Sequence, residues 1–283
     1  MELIFAAAIC SVAVSILLKV CKTRGFSPIH MITWNYAVAS ILCFFWFKPD
    51  LARVSVTKTP WLLIIALGVL LPSVFFFLSK SLQTAGILKT EIAQRLSVVL
   101  SLSGAYFIFH EQFTQYKILG VILGVLAVLF LLMPNKKISG VSGNSGIVYL
   151  ACVWAGYALI DLLLKYTTGL GLQFSVALNL MFICAFLVSL AYIFIKYNNL
   201  GQLKNIWAGF ILGVLNFANI ALYVKAHMLL KDSPAIVFAG MNILVVLFGV
   251  LSGLVFFKEK LKLTSMLGLT LGLASLVCLA IAI

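Results

Sequence analysis

The sequence predicts an all-α polytopic membrane protein of ten transmembrane helices arranged as two inverted five-helix repeats. Three observations predict it. First, the chain is 64% hydrophobic and 10% charged, with a mean hydropathy of +1.18, whereas soluble domains carry about 25% charged residues. Second, its apolar runs stay apolar for about twenty residues, the length of one helical crossing. Lipid admits only helices or closed barrels, because every backbone polar group must be satisfied internally. Barrel strands would alternate polar and apolar over about ten residues, so helices are expected. Third, one stretch recurs at a fixed spacing. His110-Glu111-Gln112-Phe113, with the helix that follows it, is echoed 148 positions later by Lys258-Glu259-Lys260-Leu261. Glu111 falls on Glu259, Gly120 on Gly268 and Gly124 on Gly272, the signature of an internal repeat.

Taken in order, the spans are 3–20, 29–47, 61–80, 87–109, 116–133, 146–165, 173–195, 207–229, 234–257 and 263–282. The first follows Met1-Glu2 directly, without the basic segment and cleavage site of a signal peptide, and reads as a retained span. Pro28, Pro49, Pro60 and Pro134 punctuate the chain between spans, and Pro234 opens the ninth. Pro72 lies inside the third and is expected to kink it. Residues 134–145, the most polar and rich in glycine and serine, read as a linker. The chain then divides into a first repeat, 1–133, and a second, 146–283, within one membrane domain.

The echo extends further. At a spacing of 146, Ser11, Ser15, Leu18 and Lys19 fall on Tyr157, Asp161, Leu164 and Lys165; at 148, Gln94 falls on Asn242. Five crossings per copy is an odd number, so the second copy enters from the opposite face. Inverted repeats recur in secondary transporters, with the site near the bilayer midplane where the copies meet.

The net charge of +13 does not indicate nucleic acid, because the basic residues are spread through short loops. The loops after odd-numbered spans carry twelve Lys and Arg against seven in the others, which favours both termini outside the cytoplasm. The six cysteines fall in or beside apolar runs without paired spacing and read as small hydrophobes. No metal or cofactor is expected.

With the halves laid out, the sequence resembles the drug/metabolite transporter superfamily, in its ten-span EamA-like branch. The carriers are Lys19 and Pro28 around the first loop, Leu164-Lys165 in the second copy, the turns at Glu111 and Glu259, and the Gly-x-x-x-Gly helices after them. His110 and Lys258 stand where the family usually has Gly, and the proline common in the middle of spans four and nine is absent. The resemblance implies solute export or exchange across the inner membrane. It also implies a central cavity lined by spans 1–4 and 6–9, with spans five and ten as packing helices. Members are often drawn with cytoplasmic termini, against the charge balance.

Ionisable residues within a span are costly and normally face a cavity or a partner. In span four, Glu91, Gln94, Arg95 and Ser101 fall within an arc of roughly 120°. Arg95 has the planar fork that suits a carboxylate or phosphate; Glu91 can hold an amine or a proton, or simply neutralise Arg95 one turn on. In span eight, Asn216, Asn219, Tyr223 and His227 form a stripe of roughly 80°, fit for a polar solute or for helix–helix hydrogen bonds. His227, near the span's end, reads as structural. Span six aligns Trp154, Tyr157, Asp161 and Lys165, where Asp161 can face a cavity or pair with Lys165. Trp34, Asn35 and Tyr36 make a polar aromatic cluster in span two, and Asn242 stands alone in span nine. The glycine pairs, including Gly209/Gly213 and Gly249/Gly253, read as helix packing; a dimer contact through spans five and ten is the other use.

These features point to a secondary transporter for a small polar metabolite, an amino acid or related solute. The alternative is an exporter of lipophilic cations. A membrane-embedded enzyme finds no motif here. The expected partners are the solute and the bilayer, with the chain a monomer or weak homodimer.

Overall fold

A computed structural model describes residues 1–57, 59–109, 113–133, 145–260 and 262–283. Its helices are α1 (Glu2–Thr23), α2 (Pro28–Phe47), α3 (Trp61–Thr84), α4 (Ile87–Arg95), α5 (Ser97–Phe109), α6 (Gln115–Leu132), α7 (Ser145–Gly169), α8 (Phe174–Tyr197), α9 (Leu203–Leu229), α10 (Pro234–Val255) and α11 (Leu263–Ile281). No strand occurs among the described residues. Nine of these helices are long and apolar enough to cross a membrane, with mean hydropathies from 1.3 to 2.6. The boundaries follow local chemistry. Pro28 and Pro234 occupy first-turn positions, where the missing N–H costs nothing, and the Thr114 side chain accepts from Lys117 N at 3.3 Å to cap α6.

The fourth crossing departs from expectation. Residues 87–109 form α4 and α5, which meet at Leu96, rather than one continuous helix. Neither proline nor glycine causes the break. The Ser97 hydroxyl donates to Gln94 O at 2.7 Å, and the Trp154 indole N–H of α7 donates to Leu96 O at 2.9 Å. Side chains thus satisfy carbonyls that the helical ladder would otherwise need, and insertion of that kind is a recognised cause of sharp bends. By contrast α3 runs through Pro72 as one helix.

Helices pack across the two halves of the chain. α2 lies against α9, and α8 lies against α3; α1 lies against α9, and α7 against α3; α4 meets α10, and α6 meets α11. Exchanging the halves maps this set onto itself. The residues reciprocate as well: a side chain on Gly120 would run into Leu279, and one on Gly268 into Leu131, positions that exchange at the spacing of 148. Gly120 and Gly268 are therefore consumed in packing α6 and α11 together within one chain, while Gly124 also meets Val99 of α5 and Gly272 faces Ile92 and Leu96 at the α4 end. The echo can be followed only on the Glu259 side, since residues 110–112 and the linker residues 134–144 lie outside the described set.

The symmetry breaks at one helix. α1 and α2 both pack against α3, whereas the exchange-related helices α7 and α8 form no comparable interfaces with α9. Outward surfaces expose large apolar side chains such as Leu62 (82% exposed) and Ile195 (88%), as expected of faces meeting lipid rather than water.

Candidate functional site

A cavity of about 740 Å³ lies between the halves, walled by α1, α2, α3, α4, α7, α8, α9 and α10, within the size range of small-molecule sites. Its lining includes Arg95 and Gln94 from the α4 break, Ser97 from α5, and Ser11 and Ser15 from α1. α7 contributes Tyr157 and Asp161; α9 contributes Asn216, Asn219, Tyr223 and His227; α10 contributes Asn242. Tyr36, Phe75 and Phe182 form an aromatic wall, with ring centroids 6.2 and 6.1 Å from that of Tyr36.

Counting crossings, the C-terminal end of α9 lies on the face that carries the chain termini. His227, Met228 and Lys231 line the cavity at that end, so the mouth opens on the terminus-bearing face. The opposite face is shut by a cluster around Glu259. Lys19 Nζ of α1 contacts Glu259 Oε1 at 2.5 Å, and Ile87 N and Leu88 N donate to Oε1 and Oε2 at 2.8 and 3.1 Å. Glu259 thus caps α4 from the loop between α10 and α11, where a carboxylate meets the positive end of the helix. Lys19 also sits 4.5 Å from the Phe257 ring centroid, and Gln83 Nε2 donates to Lys19 O at 3.2 Å. Gly86 makes this approach possible: its φ is +92°, and a Cβ there would collide with the Glu259 carboxylate.

Arg95 Nη2 donates to Ser11 Oγ at 2.5 Å, while its buried Nε has no partner. No ion pair joins it to Glu91, so the self-neutralising pair that the sequence allows does not form. The basic group coupled electrostatically to Asp161 is Arg95. Asp161 is enclosed by the surrounding helices, and its exposed side chain reaches water through the cavity. Asn219 Oδ1 is buried without a donor. The cavity therefore presents an unmet donor, an unmet acceptor and, in its interior, the opposite charges of Arg95 and Asp161, with Lys231 at its mouth.

Three residues expected in the site lie outside the lining. Trp34 donates its indole N–H to Leu200 O at 3.3 Å and packs on Gly209. Asn35 is buried behind the wall, its Oδ1 accepting from Asn216 Nδ2 at 3.2 Å. Glu91 faces Gly249 of α10 and is 1% exposed. In the other direction, His227 joins the lining, its ring edge-on to Tyr223 at 4.6 Å. Ser97, Phe75 and Phe182 also line it; they belong to apolar or weakly polar stretches that give no signal in one sequence. Among the described residues no cluster of three His, Cys, Asp or Glu side chains is placed to hold a metal.

A model of the EamA-like transporter family matches residues 2–133, which run from α1 through α6. The chain belongs to that family. This EamA-like chain is also 38% identical over 285 residues to an uncharacterized protein of Haemophilus influenzae, the match covering 98% of this chain and 97% of that one. A solved structure titled only as a crystal structure of a protein superimposes with a TM-score of 0.53 at 14% identity, covering 97% of this chain and 98% of its own. That likeness concerns the fold. The EamA-like chain is thus a multi-pass membrane protein of a transporter family.

Proposed function

We propose that the chain is a secondary transporter that exports or exchanges a small polar metabolite, an amino acid or closely related solute, by alternating access. The two halves, 1–133 and 146–283 joined by 134–145, rock about the cavity. The observation that carries this reading is the pairing of Arg95 with Asp161 on one cavity surface. A guanidinium suits a carboxylate through its planar fork, and an accessible carboxylate suits an ammonium. Tyr157, Tyr223, Gln94, Asn216, Asn219 and Asn242 add neutral donors and acceptors, and Tyr36 closes the wall with an aromatic face. The surrounding charge balance favours termini outside the cytoplasm of an inner (plasma) membrane, so the mouth described here faces outward. The solute and the bilayer are the partners, and the chain works as a monomer or weak homodimer.

The test is a thermal-shift screen of purified protein against metabolites and lipophilic cations, followed by counterflow in liposomes. A zwitterion that stabilises the protein is expected, and Arg95→Ala should raise its apparent KM about tenfold or more, the size of a charge-assisted hydrogen bond. The aromatic wall and the accessible Asp161 support lipophilic-cation export as a second reading. Stabilisation by cations alone, with transport indifferent to Arg95→Ala, would replace the first reading with the second.

A further inference from the structure

Glu91 is the ionisable group of the interior that the cavity does not use. It sits in the middle of α4, one turn before Arg95, with its Cβ and Cγ against Gly249 of α10, where any side chain would displace it. Neither carboxylate oxygen has a partner in hydrogen-bond geometry, and the Ser15 hydroxyl of α1 is the neutral donor that stands nearest it. The groups facing it are few. Arg95 comes from its own helix, Ser15 from α1 and Tyr157 from α7. α10 offers Gly249 and carries no titratable side chain, and α11 carries none but Cys278. The charged residues of α3 and α6, Lys80 and Lys117, are not among the groups coupled to it, and α5 holds none. Asp161, also on α7, is coupled to the same Arg95 and so competes for it.

An isolated carboxylate enclosed by protein is strongly disfavoured, and such a group takes up a proton instead. Its other escape is a cation. Among the described residues the cation beside it is Arg95, whose i, i+4 spacing allows contact and whose Nε is unmet. In this structure Arg95 is turned away, held by Ser11 at the cavity. The i, i+4 spacing gives the guanidinium a second place to go, beside Glu91.

We propose that Glu91 is a proton-binding site coupled to solute through Arg95. With Arg95 at the cavity, Glu91 holds a proton; when the proton leaves to water, the carboxylate draws Arg95 back and the cavity loses its cation. Proton and solute carboxylate then favour each other's binding, and by linkage the effect is reciprocal. The proton travels as a co-passenger of the solute, so outward transport draws on the solute's own gradient. This rests on the transporter reading, but its decisive measurement needs no solute.

That measurement is an infrared pH titration of the purified protein. A protonated-carboxyl band is expected that titrates in the wild type and is absent in Glu91→Gln. In Arg95→Gln the same band should persist to about tenfold lower proton concentration or beyond, the effect of removing a nearby opposite charge. Should Glu91→Gln fail to fold, Glu91→Asp should move the band without removing it. A spectrum unchanged by substitution of Glu91, or a midpoint unmoved in Arg95→Gln, overturns the proposal and leaves the transporter reading intact. As a second arm, a mixture of the twenty amino acids should raise thermal stability more on the acid side of that midpoint, a dependence lost in Glu91→Gln. No stabilisation at any pH would strike the solute class while the infrared result still decides Glu91. Stabilisation with the same pH dependence in Glu91→Gln would overturn the coupling.

Discussion

Asn216 and Asn219 are three residues apart on α9 and both line the cavity, yet they hold different positions in the hydrogen-bond inventory. The Asn216 amide donates to Asn35, a fully buried residue whose own Nδ2 lacks a partner. Asn216→Leu strips Asn35 of its remaining bond and should cost about 1–3 kcal/mol, read as earlier thermal unfolding in detergent. Asn219→Leu removes an acceptor that has no donor in this structure; it should leave unfolding nearly unchanged and weaken solute binding. Equal effects of both on unfolding would place Asn219 in the scaffold. Periodicity made this stripe readable from sequence, because residues three and four apart share a helix face. The same rule explains the failure in α2. Trp34, Asn35 and Tyr36 are consecutive, project about 100° apart, and only Tyr36 reaches the cavity. Glu91 failed for a related reason: its predicted arc was wide enough to span both the cavity wall and the α10 contact.

At the level of single helices, span positions were legible because about twenty apolar residues between short polar turns leave little choice. The α4–α5 break was not, since its cause is tertiary: the bond from Trp154 to Leu96 O reaches across 58 positions of sequence. Trp154→Phe keeps the aromatic volume and removes the donor, leaving that carbonyl without it. We expect a loss of about 1 kcal/mol or more in stability, with solute affinity falling because Arg95 and Gln94 flank the break. Intact affinity in a destabilised Trp154→Phe protein would detach the break from the site. In α11, Gly268→Val thrusts a side chain into Leu131 and the Ala127 carbonyl, and overpacking of this kind costs about 1–3 kcal/mol. If the protein tolerates it without change, α6 and α11 are less closely packed than described.

Across the whole molecule, Glu259 joins α1, the start of α4 and the loop before α11 at the closed face. Glu259→Gln keeps the shape and loses the charge that holds Lys19. A cysteine placed at Ser15 should then react faster with a membrane-impermeant thiol reagent supplied at the face opposite the termini. An unchanged labelling rate would show that closure does not depend on this cluster. Labels in the loops after spans four and nine, on opposite faces, check the inverted arrangement itself. The fold could be anticipated from one repeated stretch and a count of crossings. Which mouth is open could not, because that depends on contacts between distant helices rather than on any local pattern.

The missing α7–α9 interface has a consequence for energetics. The copies have diverged where they meet the cavity, with Ser11 and Ser15 in one and Tyr157 and Asp161 in the other. The two outward- and inward-directed conformers are consequently different chemical objects, and equal resting populations would be a coincidence. Such a bias makes the empty carrier present one doorway more often and lets apparent affinity differ between the two sides. It does not choose the direction of net flow, which detailed balance leaves to the gradients on either side of the bilayer.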